Sequence, residues 1–299
     1  MDSLATLQQI VRQHGGEGNT QTALPNVSVY QSQVSTEFMH AMYEPSICFV
    51  LQGAKVAMLG TASFAYDCAH YLVVAVDLPL AGSITVASPQ EPYLGLRLKL
   101  DLEALRTLVL DLPPDGGRSD PTDSLMLGTV TPDLLDPLAR LLGLLARPRD
   151  IPIMAPLIER EILYRLVQGP EARMLRQLVL ADSRISQVNR AIEWIKRHYN
   201  EAFSVSTVAA AANMSPSAFH QHFKAATSLS PLQYQKQIRL HEARRLILSE
   251  RMEAGKAGFE VGYDSPSQFS REYKRVFGAP PAREVSRFRQ LSQAERSAA

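Results

Sequence analysis

Cysteine is nearly absent from the 299 residues: Cys48 and Cys68 are the only two, too few for a disulfide framework and at no zinc-site spacing. Apolar runs of about 18 residues are also missing, as is a basic N-terminal region followed by an apolar stretch. A soluble, cytoplasmic protein with no membrane partner is therefore expected. Net charge is scarce too, at +1. That balance is uneven, because Lys and Arg outnumber Asp and Glu from Asp182 onward and the preceding residues carry the opposite excess. A basic C-terminal third beside an acidic remainder fits a nucleic-acid-binding module attached to something else.

The length suggests about two domains. Residues 1–26 open with an amphipathic segment (Leu4, Leu7, Ile10, Val11) and then lose periodicity, which reads as a loose helix and a linker. Residues 27–100 hold the short strand-like runs VSVYQSQV, SICFVLQG, AKVAML, HYLVVAVDLP, GSITVAS and YLGLRLKLDL, as a compact sandwich or small barrel would. Gly53 between two of them predicts a tight hairpin. A helical run LEALRTLVLDL, a turn-rich loop at 113–124 and helices over 132–146 and 156–168 follow. The first of these two helices carries Leu134, Leu135, Leu138, Leu141, Leu142 and Leu145, a stripe suited either to packing on the strands or to a homodimer through residues 132–168.

The C-terminal third is helical in pattern throughout. In VGYDSPSQFSREYKRVFGAPP (261–281), Phe269, Tyr273, Val276 and Phe277 form one apolar stripe, with Gln268, Arg271, Lys274 and Arg275 off it. Gln and Arg can pair with base edges, and Ser, Lys and a helix N-terminus can hold phosphate. A basic amphipathic helix is more often a solvated surface, but this one has a second copy. SPSAFHQHFK (215–224) aligns without gaps with SPSQFSREYK (265–274) and keeps Ser, Pro, Ser, Phe and Lys. The residues that differ lie on the outward face, as two readers of unequal half-sites require. Ser204 or Ser206 and then Ser215 are helix caps, so the first copy reads as helix, turn, helix. Between the copies, residues 231–249 read as one helix of about 28 Å, close to the ~34 Å groove repeat of B-DNA.

With these motifs the last ~115 residues resemble the DNA-binding domain of AraC/XylS-type transcriptional regulators. Residues 30–109, through YEPSICFVLQGAK and YLVVAVDLP, resemble the cupin-like N-terminal domain of one branch of that family. The implied architecture is α+β with two domains: a segment 1–26, a cupin-like β-barrel with appended helices over 27–180, and an all-α domain with two helix-turn-helix units over 181–299. Its implied role is a DNA-binding regulator controlled by a small-molecule effector. The resemblance assigns Ser217, His220, Gln221, Ser267, Gln268 and Arg271 to bases, and Ser215, Lys224, Ser265 and Lys274 to phosphates. Phe219, Phe223, Phe269, Tyr273 and Phe277 read as core.

Double-stranded DNA, an effector and RNA polymerase are the expected partners. The effector pocket is expected from FMHAMYEPSICFV, with Tyr43 and Cys48 in it. His40 and His70 without an H-x-H pair make a metal or other cofactor unexpected, which weighs against the alternative of a cupin-type enzyme with a nucleic-acid-binding tail. Cys48 reads as a buried small residue or a thiol sensor. Gly255 and Gly258 depart from the family pattern and predict a looser second unit, while Ser228 replaces the usual C-cap glycine.

Overall fold

The computed structural model describes residues 3–113, 123–181 and 183–284; most of the turn-rich loop expected at 113–124, and residues 285–299, lie outside them. Ten strands form the first domain: β1 (Gly18–Gln21), β2 (Val27–Ser32), β3 (Met39–Tyr43), β4 (Ser46–Gln52), β5 (Ala54–Leu59), β6 (Ala62–Asp67), β7 (His70–Val74), β8 (Leu78–Val86), β9 (Tyr93–Lys99) and β10 (Leu125–Thr129). They make two antiparallel sheets, ordered β1-β2-β9-β4-β7-β10 and β3-β8-β5-β6. The central strand β4 is buried from Ser46 to Leu51, which explains its unbroken apolar run.

Gly53 is not a hairpin. β4 pairs with β7 and β9, whereas β5 pairs with β6 and β8, so Gly53 carries the chain from one sheet to the other. Its φ is +83°, and a Cβ there would lie 2.3 Å from the Val86 carbonyl oxygen. The glycine is needed for a close backbone crossing as well as for its positive φ.

Residues 1–26 are likewise not a loose helix and linker. In α1 (Ser3–His14), Leu7 and Val11 are fully buried, and Gln8 Nε2 donates to the Leu51 carbonyl at 2.8 Å. The leucine stripe of α3 (Pro132–Gly143) turns inward as well: Leu134, Leu138, Leu141 and Leu142 are buried, and α3 packs on α1 and α4. α4 (Ile151–Leu166) starts five residues before the expected Pro156, which sits inside it and deletes a single backbone hydrogen bond. Its outer face carries the exposed apolar residues Ile153, Met154, Leu157 and Tyr164. α2 (Leu102–Leu110) and α5 (Ala172–Val179) complete the first domain.

The C-terminal domain consists of α6 (Arg184–Arg197), α7 (Val205–Ala211), α8 (Pro216–Thr227), α9 (Pro231–Ser249), α10 (Ala254–Glu260) and α11 (Pro266–Phe277). Serine side chains cap five of these helices, from Ser183, Ser204, Ser215, Ser230 and Ser265, and Ser230 completes a capping box with Gln233. The α+β two-domain architecture expected from the pattern is what the chain adopts.

The apolar core is divided. Phe219, Phe223 and Tyr234 of the first unit belong to the core that continues into the strand domain. Phe269, Tyr273, Tyr263 and Val276 of the second unit pack with Leu240, Ala243, Leu246 and Ile247 of α9 in a cluster of their own.

Candidate nucleic-acid interface and internal cavity

α7 and α8 form the first helix-turn-helix, and α10 and α11 the second. The Ser215 hydroxyl accepts the Ala218 N–H at 3.3 Å and the Ser265 hydroxyl accepts the Gln268 N–H at 3.4 Å, so each serine keeps its own proton free to donate. Aromatic side chains fix the opposite faces: Phe219 stacks edge-on against Phe223 at 5.3 Å, and Phe269 against Tyr273 at 5.5 Å. With those faces inward, Ser217, His220, Gln221 and Lys224 of α8 are exposed, as are Ser267, Arg271 and Lys274 of α11. Ser228 ends α8 in the left-handed region at φ +59°, the same shape that Gly278 gives α11 at +79°, and serine meets the steric cost of that conformation.

Gln268 alone among the expected base readers of α11 is engaged. Its Nε2 donates to Glu272 Oε1 at 3.2 Å, and Glu272 also accepts Lys236 Nζ at 2.8 Å and the Tyr263 hydroxyl at 2.9 Å. Partial burial works to raise the Glu272 carboxyl, but those three hydrogen bonds outweigh it and the net shift is downward. It is therefore a carboxylate at neutral pH.

Gly258 has a packing role. A Cβ on it would lie 3.0 Å from Cγ and Cδ1 of the Phe269 ring, so glycine lets α10 seat on α11. Its loss of helix propensity is offset by that contact, which corrects its reading as a simple source of looseness.

Between the two sheets lies a cavity of about 390 Å³. Tyr43 and Cys48 both line it, together with Lys55, Tyr66, Tyr93 and Arg97, which their sequence context did not mark. Its wall contains no Asp or Glu. Lys55 Nζ donates to the Tyr43 hydroxyl at 3.0 Å. Burial opposes its charge, but Tyr43 and Tyr93 outweigh this and its pKa is raised, so the cavity holds a cation without a carboxylate partner. Burial raises the Cys48 thiol, which stays protonated at neutral pH. His40 lines the cavity from β3, whereas His70 pairs with Asp67 at 3.1 Å on β7, in the other sheet. Among the described residues, no group of three or more His, Cys, Asp or Glu could hold a metal ion.

The cavity abuts the DNA-binding domain. Met39 to Tyr43 of β3 line it, and β3 also touches α9 and α11. Arg244 of α9 is part of its wall and donates to Glu284 at 2.6 and 2.9 Å, while the Tyr273 hydroxyl donates to the same carboxylate at 2.6 Å. The first unit is held differently. Lys196 pairs with the buried Asp77 at 2.9 Å, the Tyr234 hydroxyl donates to the Asp77 carbonyl at 2.7 Å, and the Ser124 hydroxyl donates to the Ala226 carbonyl. Burial raises the Asp77 carboxyl despite Lys196, so this pair fixes the docking geometry more than it stabilises it.

An antiparallel sheet domain enclosing a cavity, joined to two helix-turn-helix units on one connecting helix, defines a class: effector-domain proteins with a two-headed helix-turn-helix module. Residues 23–174 match the model of the AraC-type transcriptional regulator N-terminus, and residues 208–287 match a helix-turn-helix domain. The chain belongs to the AraC-type transcriptional regulators. It is 25% identical over 154 residues to the HTH-type transcriptional activator RhaS of Salmonella schwarzengrund, covering 51% of this chain and 54% of RhaS. It is 28% identical over 118 residues to the arabinose operon regulatory protein of Salmonella typhimurium, covering 38% and 42%. The chain thus spans about half the length of the curated relatives it matches. Among solved structures, ToxT from Vibrio cholerae superimposes with a TM-score of 0.58 at 11% identity, covering 87% of this chain and 97% of ToxT. Wild-type ToxT bound to an unsaturated fatty acid gives 0.54 at 9%, covering 87% and 94%. At these identities the likeness is one of fold. No described helix is long and apolar enough to cross a membrane.

Proposed function

We propose that this chain is a sequence-specific DNA-binding transcriptional regulator whose two unequal recognition helices, α8 and α11, read an asymmetric site. The observation that carries this is the repeated scaffold: the shared Ser, Pro, Phe and Lys hold the two helices alike while Ser217, His220 and Gln221 differ from Ser267, Gln268 and Arg271. Ser215, Lys224, Ser265 and Lys274 take phosphates in this reading. Family membership supports it and sets aside the enzyme alternative.

Arg271→Ala is expected to lower affinity for the specific site by about 1–3 kcal/mol and to relax base preference at one position. Footprinting on the parent site and single-base variants reads this out, and a mutant as selective as the parent would refute the orientation assigned to α11. Lys274→Ala is expected to weaken all sequences alike and to reduce the salt dependence by about one phosphate's worth of counterion release. Binding titrations at several salt concentrations measure that slope.

The regulatory half of the proposal places a small anionic molecule with an apolar body in the cavity, its head group at Lys55 and Tyr43. Three cationic side chains, Lys55, Arg97 and Arg244, and no acidic one on the wall support it. The fatty acid bound by the similarly folded ToxT is a molecule of this kind. The exposed apolar face of α4 takes the place of the leucine stripe as the surface for a homodimer, and RNA polymerase is the further partner such a regulator needs.

A further inference from the structure

We propose that Glu272 is a specificity-determining residue that orients Gln268 to read adenine; this rests on the reading of α11 as a recognition helix. The carboxylate is acceptor-only, so the end of the Gln268 amide facing it has to be the NH₂ group. One Nε2–H is thereby committed to Glu272. The other Nε2–H and the Oε1 acceptor remain for a base edge, and that donor–acceptor pair matches N7 and N6–H₂ of adenine in the major groove.

Glu272 is suited to this position because its charge is compensated. Bare, a carboxylate on the DNA face of α11 would repel phosphates. Here Lys236 of α9 lies 2.8 Å from it and Tyr263 of α10 donates to its other oxygen, so Glu272 is held from two neighbouring helices before DNA arrives. Orienting a flexible amide beforehand lowers the entropy lost when it binds. The first unit supplies an internal comparison. Ala218 and His222 stand where the second unit has Gln268 and Glu272, so no equivalent clamp exists in α8.

The test is selection of bound sequences from a randomised duplex pool, with the full-length parent, Glu272→Gln, Gln268→Ala and the double variant. Glutamine at 272 keeps length but can donate as well as accept, so it permits the Gln268 amide to turn over. The expected result is a parent preference for adenine at one position, reduced about fivefold to tenfold by Glu272→Gln with the other positions unchanged. Gln268→Ala should lose preference at that same position, and the double variant should lose nothing more. Uniform weakening of all sequences by Glu272→Gln, or a parent preference for another base at the Gln268 position, would overturn the assignment while leaving α11 a recognition helix. A parent protein that selects no sequence at all would overturn the DNA-reading proposal and this inference together.

Discussion

Gly258→Val is expected to unfold the second helix-turn-helix unit, abolish specific DNA binding and leave the strand domain and first unit intact. The Cβ alone would stand 3.0 Å from Cγ and Cδ1 of Phe269, and valine adds two methyl groups beyond it. Phe269 has no free end to swing away. It is 2% exposed and gripped between Tyr263 at 5.4 Å and Tyr273 at 5.5 Å. Overpacking of such a contact costs about 1–3 kcal/mol or more, to which valine adds its weaker helix propensity. Because the second unit packs in its own apolar cluster, the loss should appear in calorimetry as a separate, lower transition. Gly255→Ala is the control: its Cβ would meet only the Glu253 carboxylate, at 3.1 Å, on a side chain free to move. That substitution should leave the profile unchanged or raise it by about 1 kcal/mol through helix propensity. A single unaltered melting curve for Gly258→Val would show that α10 can retreat from α11 without cost.

Lys55→Met is expected to remove the preference of the cavity for anions. Decanoate and decanol share an apolar chain and differ in the head group, so isothermal titration of both isolates the charge. Parent protein should favour decanoate, and Lys55→Met should weaken decanoate by about 10- to 100-fold, the worth of one charged hydrogen bond, with decanol little changed. Without ligand the variant should be as stable as the parent or more so, because methionine fills similar space without burying a cation that lacks a carboxylate partner. Equal losses for both ligands would mean that Lys55 shapes the cavity and does not choose its charge.

The C-terminal domain could be read from the chain almost residue by residue because its determinants are local. Ser215 and Ser265 cap the helices that their position predicts, and the apolar stripe of α11 is continuous over three turns. The strand domain was legible only where strands are central. β1, β3, β6 and β10 escaped notice because they are short or largely solvent-facing, as in the exposed–buried pattern of β6. Leucines on α3 presented the same pattern for an internal and an intermolecular contact, and only the positions of α1 and α4 decide between them. Lys55 and Arg244 belong to one cavity wall although nearly 190 residues of chain separate them, and no local pattern encodes such an encounter. Gly258 misled for a related reason: propensity treats a glycine as lost helix, whereas its value lies in the Phe269 ring across the turn.

Arg244 stands at once in the wall of the cavity and, through Glu284, at the hydroxyl of Tyr273 inside the second unit. A group that belongs to two sites makes their equilibria one equilibrium. Whatever factor a cavity ligand applies to the affinity for DNA, DNA applies to the affinity for that ligand. An operator is then itself an effector: protein molecules on the promoter and those free in solution fill their cavities at different ligand concentrations. A dose–response curve taken without DNA would describe the wrong population.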